Sequence, residues 1–150
     1  TRKESSAASD VYKRQVYKYP EGTLVDLNEA DTTELKKIPG IGSGIARMIV
    51  AYRKRLGGFY DMAQLKEVNY VDEDMLRWFK LGNAPIHRIN ANKAGLDKLR
   101  SHPYMNFYQA KVIIEYRRKK GKLKSLSQLS LYEEFTEKDL ERLSHYLAFD

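Results

Sequence analysis

The sequence contains no cysteine, one tryptophan, four prolines and three histidines. The first absence removes disulfides, thiolate metal sites and cysteine nucleophiles, while His87, His102 and His145 are too scattered to form a metal cluster. No apolar run approaches the roughly 20 residues of a membrane span, and no signal peptide is visible at the amino end. Carboxylates are in deficit: 20 Asp and Glu stand against 27 Lys and Arg, a formal charge of +7. That imbalance favours polyanionic partners, nucleic acid first and an anionic membrane surface second. With 150 residues, 42% hydrophobic and 31% charged, the chain suits one or two small globular units rather than a large enzyme.

The amino end reads differently from the rest. "SSAASDVYKRQ", Ser5 to Gln15, resembles the translation of a transposase adapter used in preparing sequencing libraries; its Ser and Ala content would also fit a disordered polar linker. Residues 1–15 are therefore set aside as a non-native or disordered leader. They hold four cations and two anions, which leaves +5 on the remainder. A natural upstream segment is then expected to be missing, and any membrane anchor would lie in it.

The rest of the chain is a duplication. An offset of 64 aligns Asn28 with Asn92, Leu35 with Leu99, Pro39 with Pro103, Ala46 with Ala110, Arg53 with Arg117, Gly57 with Gly121 and Leu65 with Leu129, without a gap. Residues 16–24 read as a linker, 25–81 as the first unit and 82–150 as the second. Each unit reads as helices. Asp31 and Thr32 are capping candidates for a helix carrying Leu35 and Ile38; a longer helix starts near Ser43, with Ile45, Ile49, Tyr52 and Leu56 as its apolar stripe, and ends at Gly57 and Gly58. "MAQLKEV" and "DEDMLRWFK" give two more short helices, the second with Asp72 as N-cap. The copy repeats this plan through Leu99, Ile113, Leu129 and Leu143. A smaller offset of 30 sets Ile38 over Val68 and Ile45 over Met75, so each unit looks like two helix-turn-helix pairs. The fold class expected is all-α: two tandem helix-hairpin-helix (SAM-like) units containing four turns.

One turn of the four is rich in glycine: "IPGIGSG", Ile38 to Gly44. Glycine costs a helix roughly 1 kcal/mol relative to alanine, so three close together imply a need for left-handed φ or a bare backbone. The next helix begins at once, and its unpaired N–H groups and positive dipole end can receive an anionic oxygen such as a phosphate. The bland alternative is a tight helical connection with no ligand.

The stretch "LNEADTTELKKIPGIGSGIARMIVAYRKRLGGFYDMAQLKEV" resembles the helix-hairpin-helix unit of ComEA-type competence proteins, DNA receptors in natural transformation. The resemblance covers residues 25–81 and, more weakly, 89–147. It implies a small helical fold that holds DNA, expected to be double-stranded, by backbone contacts to phosphates without reading sequence. It places those contacts at Gly40, Ile41, Gly42 and Gly44, with Arg47 as the nearest phosphate-reaching cation. It also allows a monovalent cation on the hairpin carbonyls, no other cofactor, and an extracytoplasmic or membrane-anchored location.

The copy departs from the pattern, with Tyr104, Asn106 and Tyr108 where the glycines stood; only Asn106 enters left-handed φ readily. Tyr104, Phe107 and Tyr108 could stack on exposed bases or fill a packing contact, and packing is the favoured reading. The second unit carries the densest charge, Arg117, Arg118, Lys119, Lys120, Lys122 and Lys124 around a helix end, with Lys111 earlier on that helix. Arg53 and Lys54 are the milder first-unit version. Such clusters can answer a helix dipole or meet a polyanion. Catalysis is not expected: Asp72, Glu73, Glu133 and Glu134 sit where caps and turns belong, and His102 reads as a partly buried spacer. The competing function is a protein-interaction module of the same fold without DNA binding.

Overall fold

The computed structural model describes residues 17–150; the leader assigned to residues 1–15 lies outside them. The first repeat runs β1 (Val25–Asp26), α1 (Thr32–Leu35), α2 (Ser43–Leu56), two 3₁₀ helices (Met62–Glu67 and Glu73–Trp78) and β2 (Phe79–Lys80). The second runs β3 (Ile89–Asn90), α3 (Leu96–Arg100), α4 (Phe107–Lys120), a 3₁₀ helix (Leu126–Leu129), α5 (Glu137–Leu143) and β4 (Leu147–Ala148). The fold is helical, as the pattern requires. Its strands are two residues each and form two parallel pairs, Val25 with Phe79 and Ile89 with Leu147, which tie the start of each repeat to its end. Three of the short predicted helices take the tighter 3₁₀ form, a geometry used in short pieces and as connectors.

Helix starts follow the predicted caps. Asp31 Oδ1 accepts the Glu34 N–H at 2.8 Å, and Asp72 Oδ1 accepts that of Met75 at 3.1 Å. On α2 the buried positions are Ala46, Ile49 and Leu56, whereas Ile45 and Tyr52 are only half-buried, so the apolar stripe is narrower than its sequence suggested. The stretch read as a linker is bonded to both hairpins of the first repeat: the Tyr19 N–H donates to Lys37 O at 2.7 Å, and Glu21 pairs with Arg77 at 3.0 Å.

In space the chain separates into one unit of residues 17–50 with Met62–Gly82, and another of Ala51–Asp61 with Asn83–Asp150. Sequence repeat and spatial unit therefore differ over 51–61. Within the second unit the buried Tyr146 hydroxyl donates to Gly58 O at 2.7 Å. His102 is buried beside it, not a spacer: Nδ1 accepts the Tyr104 N–H at 3.0 Å, which leaves Nε2 as the protonated nitrogen donating to Leu56 O at 2.8 Å. Burial holds His102 neutral and lowers its pKa to about 4; the bond to Leu56 O opposes the shift, and Arg55 and Arg142 add to it.

Candidate nucleic-acid interface

All four helix-turn-helix connections are closed by the same backbone bond, from the fourth residue's N–H to the first residue's carbonyl. The pairs are Ile41 to Ile38 (3.0 Å), Val71 to Val68 (3.2 Å), Met105 to His102 (3.0 Å) and Phe135 to Tyr132 (3.1 Å). Both sequence periods are thus present in the backbone. The third residue of the turn differs between repeats: Gly40 has φ +89° and Tyr70 φ +71°, but neither Tyr104 nor Glu134 is left-handed. Glycine at 40 answers a real conformational need. At Gly42 and Gly44 only the second of the two needs, a bare backbone, remains, because neither has positive φ and a Cβ on either would meet nothing within 4 Å. What they omit is bulk over the mouth of α2. Asn106, the copy's best candidate for left-handed φ, is instead an extended N-cap at φ −97°.

The decisive difference lies one residue before each following helix. Asp72 caps Met75; Asn106 Oδ1 accepts the Gln109 N–H at 2.8 Å while Gln109 Oε1 accepts the Asn106 N–H at 2.9 Å; Thr136 and Asp139 exchange the same pair at 3.1 and 3.0 Å. Gln109 Nε2 also reaches Glu134 O at 2.9 Å and Asp139 Oδ2 at 3.2 Å, joining the Asn106 and Thr136 capping boxes. At the glycine turn the corresponding positions are Gly42 and Ile45, which have no side-chain acceptor to offer. Among the described residues the N–H groups of Gly42, Ser43, Gly44 and Ile45 meet no protein acceptor. They face the positive end of a 14-residue helix. Ile41 is buried beneath them.

The surroundings agree in sign. Arg47 is exposed one turn into α2, whereas the second turn is followed by Asp72, Glu73 and Asp74 and the fourth is flanked by Glu133, Glu134 and Glu137. Lys18 Nζ donates to the carbonyls of Lys36 and Ile41 at 2.5 and 3.3 Å. Those two oxygens therefore carry an ammonium of the chain itself. Sequence reading missed Lys18, since nothing local links it to a hairpin some twenty residues away. It also missed the Asn106–Gln109 box, although polar residues three apart before an apolar run are its signature.

The remaining predicted cations separate. Lys54, Lys111, Arg118, Lys119 and Lys120 are exposed, Lys120 lying 5.6 Å from the Tyr116 ring centre, and Arg53 is half-buried. Arg117 is engaged in the fold: its Nη1 donates to Ala91 O at 3.0 Å and Ala94 O at 2.5 Å, closing the end of α4 onto the segment after β3. The aromatic trio also divides. Tyr104 packs, buried, against His102 and Tyr146 with the Arg142 guanidinium 4.0 Å from its ring centre. Phe107 and Tyr108, the first two residues of α4, are exposed and set edge-to-face at 5.5 Å, so packing does not account for them. Among the described residues no group of three or more His, Asp or Glu could hold a metal, and no helix is long and apolar enough to cross a membrane.

Residues 21–78 and 85–148 each match the family model described as the helix-hairpin-helix motif. The chain is 27% identical over 154 aligned residues to mouse and rat endonuclease/exonuclease/phosphatase family domain-containing protein 1, covering 81% of this chain and 27% of each relative. It is 25% identical over 146 residues to the Xenopus laevis protein of that name, covering 81% of this chain and 26% of the relative. The chain thus spans about a quarter of the length of these relatives. No solved structure matches it significantly.

Proposed function

Because the chain belongs to the helix-hairpin-helix family, we propose that it binds nucleic acid, and specifically that its first hairpin holds duplex DNA by the backbone without reading sequence. The observation that carries this is the set of four open amides from Gly42 to Ile45, where the copy is internally capped. A phosphate oxygen supplies the acceptor that Asn106 supplies in the second unit. Backbone donors cannot distinguish bases, so affinity comes from phosphates and from the cations Arg47, Lys54, Lys111, Arg118, Lys119 and Lys120. For one such module it is on the order of 10⁻⁴ to 10⁻⁶ M at physiological salt.

The module itself is a holder of DNA, not a catalyst. The ComEA resemblance would put that holding to use in DNA uptake. The names of the vertebrate relatives would instead put it beside an endonuclease/exonuclease/phosphatase family domain. The second unit, with its closed amides, supports the fold and adds cationic contacts. A pure protein-interaction role is the competing reading, favoured by exposed large apolar side chains such as Tyr70, Tyr108 and Leu131.

Fluorescence anisotropy with labelled duplexes of unrelated sequence, over a salt series, tests the proposal. Expected are equal affinities across sequences, a log–log salt slope near −0.9 per phosphate neutralised, and loss of binding in Gly42→Asp. That substitution gives the first hairpin the cap the other turns possess, so helix stability is kept while the amides close. Salt-independent association, or full binding by Gly42→Asp, would overturn the reading.

A further inference from the structure

A second cationic feature, separate from the hairpin, lies inside the second unit. A cavity of about 530 Å³ is lined by Lys54 and Arg55 from the end of α2, Arg88 from the segment before β3, and Lys98 from α3, together with the apolar Leu56 and Ile89. No carboxylate is among its lining residues. Four cations from three separate elements thus converge on one space with nothing in it to neutralise them.

The walls are built, not incidental. The His87 N–H donates to Gly57 O at 2.8 Å, and Gly57 has φ +96° with the place of a Cβ 2.2 Å from His87 O, so only glycine lets these two backbones meet. Arg88 is held in position by neutral acceptors, its Nη1 donating to Ser144 O at 3.1 Å and Leu147 O at 3.4 Å. That arrangement orients the guanidinium while leaving its charge uncompensated. Among the described residues Lys54, Arg55 and Lys98 have no ion-pair partner. Helix-end dipoles account for Lys54 and Arg55 on α2 and for Lys98 on α3, but not for Arg88, and they do not explain why all four line one space.

The volume falls in the roughly 300–1,000 Å³ range of small-ligand pockets, far more than one phosphate group needs. A lining that is part cationic and part aliphatic fits a ligand with a multiply charged end and an apolar body. We propose that this cavity takes a phosphorylated nucleotide, its phosphates met by Lys54, Arg55, Arg88 and Lys98 and its sugar or base lying against the part-exposed Ile89. The nucleotide comes either free or as the phosphorylated end of a DNA strand. The proposal goes beyond the hairpin reading, shares only Lys54 with it, and does not depend on the open amides.

The test uses the whole chain with two fluorescent probes, a deoxynucleoside triphosphate and a short 5′-phosphorylated single strand. Lys54→Glu/Lys98→Glu, both exposed positions, is checked for helicity by circular dichroism, and Gly42→Asp serves as the hairpin control. Expected is saturable binding of at least one probe, weakened about tenfold or more by the charge reversal and unchanged in Gly42→Asp. Tighter binding of the strand than of the triphosphate identifies a strand end as the source, and the reverse order a free nucleotide. Inorganic tripolyphosphate binding as tightly as the triphosphate would overturn the sugar or base contact. Absence of binding at millimolar probe, or indifference to the charge reversal, would overturn the site.

Discussion

The first hairpin and its copy close with the same backbone bond and lead into helices of the same length, Ser43–Leu56 and Phe107–Lys120. They differ in who satisfies the helix mouth. In the copy, two side chains exchange hydrogen bonds with two amides, and Gln109 extends the network to Glu134 and Asp139. In the first hairpin, Gly42 and Ile45 leave those donors open, and Lys18 and Arg47 add positive charge nearby. A capping box satisfies a helix from within and excludes an external anion; an uncapped, unobstructed helix mouth gives up that local stability and can receive one. The pair separates what the motif needs to fold from what it needs to bind.

Acid should separate the units most strongly. His102 has a folded pKa of about 4, below its ordinary 6.5, so the unfolded chain takes up a proton that the folded one refuses. The second unit's share of stability is complete above about pH 6.5 and is lost as pH falls toward 4, by roughly 3 kcal/mol in all. Chemical denaturation at pH 7 and pH 4.5 would show it, and His102→Gln should flatten the difference. Next in size is Gly40→Val. A β-branched residue at φ +89° should cost about 1–2 kcal/mol and weaken DNA binding, read from urea midpoints and anisotropy.

Converting the copy into a glycine hairpin sharpens the contrast in the opposite direction. Asn106→Gly with Gln109→Ile should lower stability by about 1 kcal/mol and steepen the salt slope of DNA binding by one further phosphate, about 0.9. The smallest effects belong to the basic cluster. Arg118→Ala and Lys119→Ala should each reduce the slope by at most that amount without moving the urea midpoint. Arg117→Ala should lower the midpoint and leave the slope alone, since its guanidinium holds Ala91 and Ala94.

Much of this was legible in the chain. The gapless 64-residue repeat, the Asp31 and Asp72 caps and the glycine turn all rest on local or periodic signals, and the structure places each where its spacing indicates. For Gly42 and Gly44 the sequence leaves left-handed φ and bare backbone as alternatives, because it shows that a side chain is missing but not which of the two requires it. Arg117 and Arg118 are neighbours of the same charge, yet one is bonded to carbonyls more than twenty residues earlier and the other is exposed. Exposed Phe107 and Tyr108 beside buried Tyr104 make the same point for aromatics. The ammonium of Lys18 on the hairpin, the assignment of residues 51–61 to the second unit and the cavity beside Gly57 depend on tertiary approach, which no local pattern encodes.

The central claim concerns particular backbone donors, and amide-resolved NMR of the chain titrated with a short duplex observes them directly. The account predicts large, salt-sensitive shifts and slowed exchange at the N–H groups of Gly42, Ser43, Gly44 and Ile45, with Asn106 and Gln109 unmoved. Perturbation of Asn106 and Gln109 with a silent first hairpin, or of neither pair while DNA is bound, would contradict it.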